Sequence, residues 1–93
     1  MKLKLYHAKW SLCSQMVRVA LHEKGLSYES KLIKLCDQYP DAENLSSEYL
    51  NINPKGIVPS LDIDGEIVTE STNIIKKLNL LHGKNDLDLW PLN

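Results

Sequence analysis

Val58-Pro59-Ser60-Leu61-Asp62-Ile63-Asp64-Gly65-Glu66-Ile67-Val68-Thr69 carries the clearest structural signal in the chain. Two short runs rich in strand-forming residues flank Asp64-Gly65, a pair that favours positive φ and closes a two-residue hairpin loop. An antiparallel hairpin is therefore expected. Pro59 opens its first strand, where a missing N–H is tolerated and a cis peptide bond is possible. A cis bond would turn the Val58 N–H and C=O outward, ready to pair with a peptide-like ligand as an added strand.

Working outward, Ser71 is expected to cap a last helix, because Ile74, Ile75, Leu78 and Leu81 recur at the spacing of one helical face. Upstream, Leu3-Lys4-Leu5-Tyr6 alternates as a first strand, and Ser11-Leu12-Cys13-Ser14 brings capping hydroxyls before a helix over residues 14–24. Gly25 stops that helix by taking a left-handed conformation. Alternation returns over 28–35 as a second strand. Residues 37–44, with Pro40, read as a loop, and 45–50 as a short helix ending before Asn53-Pro54-Lys55-Gly56. The order is βαβαββα. A crossover helix makes the first two strands parallel, and the hairpin adds an antiparallel pair, so the expected class is α/β with a mixed four-stranded sheet.

With 93 residues, 43% hydrophobic and 25% charged, the chain suits one small domain. Eleven Lys and Arg against twelve Asp and Glu give a net charge of -1, which provides no footprint for nucleic acid or an anionic membrane. The N-terminus enters a strand at once without the apolar core of a signal peptide, and no run approaches a membrane span. Cys13 and Cys36 are too few and too far apart for a disulfide framework or a zinc site, so two free thiols in the cytoplasm, and no metal, are expected. The first helix has more apolar surface than one sheet contact needs: Val17, Ala20 and Leu21 form a stripe that Met16 and Val19 extend. The tail over 86–93 adds further Leu and Trp. Both features point to a second domain or a partner subunit, the plainer alternative being a bent small core.

Cys13 stands where the first helix begins, so unpaired N–H groups and the helix dipole can stabilise a thiolate there. A lone Cys is also often a small buried hydrophobe. Ser11 and Ser14 can serve as helix caps, Ser14 more readily, while a hydroxyl at Ser11 can instead donate to a ligand thiolate. Trp10 can wall an apolar pocket. Arg18 reads as a structural ion-pair partner, and Lys55, Lys76 and Lys77 as solvated surface. Glu70 suits a ligand ammonium group, and Ser71 with the free N–H groups at the last helix start suits a carboxylate. Taken singly, Ser71 is a cap and Glu70 a solvated charge.

Over its whole length the chain resembles the N-terminal, thioredoxin-like domain of cytosolic glutathione transferases. The resemblance rests on Leu3-Lys4-Leu5-Tyr6, Ser11-Leu12-Cys13-Ser14 with Val17-Arg18-Val19-Ala20-Leu21, Asn53-Pro54-Lys55-Gly56-Ile57-Val58-Pro59-Ser60-Leu61, and Glu70-Ser71. It implies a cis Pro59, pairing of the Val58 backbone with the cysteinyl part of glutathione, and capture of the γ-glutamyl end by Glu70 and Ser71. The stretch from Ser11 looks most like the zeta class, which includes maleylacetoacetate isomerases, and like reductive dehalogenases; a beta-class enzyme would also place its cysteine at Cys13. Those relatives imply that Ser11 and Cys13 serve glutathione activation and thiol chemistry on a small electrophilic substrate. They also imply a domain over 1–83, a linker from 84 to 93, a helical C-terminal domain, and a homodimer of the full-length protein.

Three positions depart from the zeta pattern: Leu12 replaces a second serine, Trp10 a basic residue, and Ile57 a polar residue that touches glutathione. The alternative reading is a non-catalytic, transferase-like binding module of the kind found in stringent-starvation regulators and translation-factor subunits. A glutaredoxin-like monothiol reductase is a third, although Cys13 lacks that group's proline and aromatic pattern.

Overall fold

The first strand sets the layering. β1 (Leu3–His7) alternates buried Leu3, Leu5 and His7 with half-buried Lys4 and Tyr6, so each face of the sheet receives its own set of side chains. Around it, a computed structural model describes residues 1–35, 40 and 42–81. The remaining elements are α1 (Leu12–Lys24), β2 (Glu29–Leu32), α2 (Ser47–Ile52), β3 (Ser60–Ile63), β4 (Glu66–Thr69) and α3 (Ser71–Asn79).

The strands form one sheet in the order β2-β1-β3-β4. β1 runs parallel to β2, with Leu5 opposite Ser30, and antiparallel to β3, with Tyr6 opposite Ser60. β3 pairs antiparallel with β4, placing Ser60 opposite Thr69. This is the expected βαβαββα domain, with a thioredoxin-like mixed sheet of four strands.

On one face, Leu3, Leu5 and Leu61 pack against Val17, Ala20 and Leu21 of α1 and Ile74, Ile75 and Leu78 of α3. Leu5, Leu21, Leu61, Ile74 and Leu78 are fully enclosed; each such side chain contributes about 1.5–3 kcal/mol by leaving water. On the other face Tyr6 meets Tyr49 of α2, their ring centroids 5.9 Å apart. Among the described residues no helix is long and apolar enough to cross a membrane.

Several boundaries differ from expectation, each for a local reason. α1 begins at Leu12 because Ser11, not Ser14, is its N-cap: the Ser11 side chain accepts from the Ser14 N–H. β2 is confined to four residues because β1 ends at His7, opposite Leu32, leaving little strand to pair with beyond it. α2 starts at Ser47, after Ser46 caps the Tyr49 N–H, and runs on to Ile52. At α3 the N-cap position falls on Glu70, with no side-chain cap, and Ser71 is the first helical residue rather than the cap. Gly25 ends α1 at φ 65, and Asp64 and Gly65 turn the hairpin at φ 51 and 96, as expected. Cys36 and the 86–93 tail lie outside the described residues.

Candidate functional site

The sheet register brings three chain crossings to one end. β1 leaves the sheet just past Tyr6, opposite Ser60 where β3 enters, and Ser60 stands opposite Thr69 where β4 leaves. Neighbouring strands lie about 4.8 Å apart. The turn holding Ser11 and Cys13, the Val58-Pro59 junction and the Glu70-Ser71 corner therefore emerge side by side.

At the first crossing Ser11 is half-buried, with φ -78 and ψ 123, and its Oγ accepts from the Ser14 N–H at 3.2 Å. Accepting that bond leaves the hydroxyl proton available for a ligand. Cys13 is exposed in the first turn of α1, where backbone N–H groups lack intrahelical acceptors and the helix dipole is positive. Ser14 points inward instead of capping: it is fully buried, and its Oγ accepts from the Ala8 N–H at 3.1 Å.

Arg18 holds this turn from behind. Its guanidinium donates to the Ala8 and Lys9 carbonyls at 3.1 and 3.2 Å and to His7 Nδ1 at 2.8 Å. Among the described residues Arg18 thus makes hydrogen bonds to two carbonyls and an imidazole in place of the expected ion pair. Arg18 can only donate, so Nδ1 accepts and His7 Nε2–H faces Ser30 Oγ at 2.5 Å. Burial first, and the Arg18 charge second, push the His7 pKa below 6.5. Trp10, 63% exposed, stands outside this network with Lys9 Nζ 5.0 Å from its ring centroid.

At the second crossing the Val58-Pro59 bond is cis, and the Val58 N–H and C=O make no hydrogen bond to another described residue. The residues flanking them are tied down: Asn53 Nδ2 and Tyr49 Oη both reach the Ile57 carbonyl and Ser60 Oγ. Ile57 itself is 44% exposed. At the third crossing Glu70 sits at φ 71, a conformation that costs a non-glycine residue of order 1–3 kcal/mol. Its Oε1 pairs with Lys55 Nζ at 3.2 Å, a surface ion pair in which Lys55 stays solvated as expected. Lys77, half-buried, likewise lies 3.8 Å from Glu66.

An open cavity of about 870 Å³ lies at the opposite end of the sheet, bordered by Met1, Lys2, Tyr28, Asp62 and Asp64. Its aspartates are engaged in the fold: Asp64 accepts the Lys2 N–H and Asp62 the Gly65 N–H, both at 2.6 Å. Ser11, Cys13, Val58, Pro59, Glu70 and Ser71 are not among its lining residues.

Ser14, Arg18, Tyr49, Asn53 and Ser60 support the candidate site from behind; the sequence marked Ser14 as a cap and Arg18 as an ion-pair partner, but none of the contacts these five make was read from it. Their partners lie between four and eleven residues away through irregular backbone, where no periodic pattern reveals a contact. Asn53 carried a cue as the residue before the turn-forming Pro54.

Residues 10–81 match the family model for the glutathione S-transferase N-terminal domain. A maleylacetoacetate isomerase of Dictyostelium discoideum is 40% identical over 86 residues, covering 92% of this chain and 38% of that protein. An epsilon-class glutathione S-transferase from the housefly, Musca domestica, superposes with a TM-score of 0.80 at 34% identity, over 91% of this chain and 37% of the other. A glutathione transferase homologue from Sulfitobacter, solved with bound glutathione, gives 0.73 at 32% identity, over 83% and 35%. The chain thus spans little more than a third of the length of each of these proteins. Its sheet, its cis junction and the match across 10–81 agree, and the chain belongs to the glutathione S-transferase N-terminal domain family.

Proposed function

We propose that this chain binds glutathione across the three crossings and presents its sulfur to a small electrophile. The observation that carries the reading is the register: Tyr6, Ser60 and Thr69 are aligned on adjacent strands, so Ser11, Val58 and Glu70 emerge at the same edge. In this reading the tripeptide pairs with the Val58 N–H and C=O as a short added strand. Its α-ammonium meets Glu70, its α-carboxylate the N–H groups and hydroxyl at the start of α3, and its thiolate the Ser11 O–H. A hydrogen bond to the charged form lowers a thiol pKa and raises the fraction of nucleophile.

The Ser11-held thiolate attacks an electrophilic carbon, which serves transfer or isomerisation. Cys13 acts later and only in reductive chemistry. Its thiolate attacks the sulfur of the glutathionyl thioether, an S–S bond forms as the C–S bond breaks, and the carbon keeps the electron pair and takes a proton. Exchange with a second glutathione thiolate then releases Cys13.

Titration calorimetry with glutathione, together with the ultraviolet absorbance of its bound thiolate, separates these roles. Ser11→Ala is expected to lower the thiolate fraction of bound glutathione, read as loss of the thiolate absorbance. Cys13→Ser is expected to leave both binding and that absorbance unchanged. Equal effects of the two substitutions would count against the division.

A binding-module reading is favoured by one observation. Leu12, Met16 and Val19, at helical spacing on α1, are 71%, 43% and 59% exposed. Such a stripe fits an apolar partner surface, and the two readings differ in whether millimolar glutathione binds at all.

A further inference from the structure

We propose that the Tyr49 hydroxyl is a positioning group for the glutathione-pairing backbone, holding Ile57 and Ser60 so that the Val58 N–H and C=O stay in place before ligand arrives. The inference deepens the glutathione reading and rests on it. Tyr49 is 3% exposed and lies on α2, outside the three crossings. Its Oη donates to the Ile57 carbonyl at 2.6 Å and lies 2.9 Å from Ser60 Oγ.

The proton count fixes the direction of every bond. A phenol has one proton, and Tyr49 spends it on Ile57 O, so Ser60 O–H donates to Tyr49 Oη. Asn53, 1% exposed, supplies its two Nδ2 protons to Ile57 O at 3.0 Å and Ser60 Oγ at 3.1 Å. Its Oδ1 accepts the Lys55 N–H at 3.1 Å. Both lone pairs of the Ile57 carbonyl are then used, and the residues on either side of Val58-Pro59 belong to one closed circuit. Such buried networks rigidify when every member is satisfied. Burial, the largest influence on the Tyr49 phenol, raises its pKa above 10, which keeps the donor protonated.

A ligand that pairs with a preformed strand avoids the cost of ordering it. Tyr49→Phe removes one oxygen and keeps the ring against Tyr6. Calorimetry should show glutathione binding weakened roughly three- to tenfold, the range expected from losing one neutral hydrogen bond. Amide ¹⁵N relaxation should show larger motion at Ile57 and Val58 and no change in β1 or α3. Wild-type affinity retained in Tyr49→Phe would overturn the inference while leaving the glutathione reading intact. Loosening spread over β1 and α3 would overturn it too, since that describes general packing. Absence of glutathione binding by the wild-type chain would remove the reading and the inference together.

The relaxation arm also works without a variant. In the free wild-type chain the Val58 order parameter should match the strands, at about 0.85, and a value below about 0.6 would show that nothing holds it.

Discussion

His7 shows how a single side chain near the site makes the fold sensitive to acid. It is 5% exposed, faces Arg18 through Nδ1 and Ser30 through Nε2, and its pKa lies below 6.5 because of burial and then the Arg18 charge. The folded chain therefore binds this proton less readily than the unfolded one. Its contribution to stability is complete above about pH 6.5 and declines as pH falls from there towards the lower native pKa. Urea unfolding at about pH 7 and about pH 5 should show wild type losing more stability than His7→Gln over that interval. Equal losses would mean that His7 does not report the acid sensitivity. Neither the burial of His7 nor its contact with Arg18 was legible in the sequence, where His7 is merely the residue after an alternating strand. Cys13 was legible as a helix-start thiol, because capping hydroxyls mark a helix N-terminus whatever the tertiary fold.

Among the elements, the hairpin and both long helices could be read directly, since turn chemistry at Asp64-Gly65 and the spacing of Ile74, Ile75 and Leu78 are local properties. Boundaries were less legible where a side chain chose between equivalent partners. Ser11 and Ser14 are both plausible caps, and only packing sends Ser14 inward to Ala8. The two loop glycines separate local from tertiary constraint. Gly65, at φ 96, has open space around the position of an added Cβ. Gly56, at φ 66, would place a Cβ 2.9 Å from the Leu45 side chain and 3.0 Å from the Asn44 carbonyl oxygen. Gly65→Ala is expected to cost about 1 kcal/mol through its backbone alone, and Gly56→Ala at least about 2 kcal/mol, as measured by chemical denaturation. Similar costs would indicate that the 53–56 turn can move away from Asn44 and Leu45.

For the molecule as a whole, the α/β class and the mixed sheet were readable from element order, because a crossover helix and a two-residue hairpin leave few topologies. What emerges at which end of the sheet depended on register, and Lys55 beside Glu70 is one result. The excess apolar surface of α1 was also legible, and the structure leaves Leu12, Met16 and Val19 exposed. Replacing Leu12 and Val19 by Ser should change unfolding stability by no more than about 0.5 kcal/mol per site, as for substitutions away from packed features. The same change should reduce concentration-dependent light scattering, and a large loss of stability would show that this face is packed within the chain. The central claim is that glutathione lies across the three crossings, and it is tested most directly by titrating ¹⁵N-labelled chain with glutathione to millimolar concentration. The account predicts amide shifts concentrated at Ser11, Cys13, Val58, Glu70 and Ser71, with none at the Asp64-Gly65 turn. No shifts at millimolar glutathione, or shifts confined to the hairpin end, would contradict it.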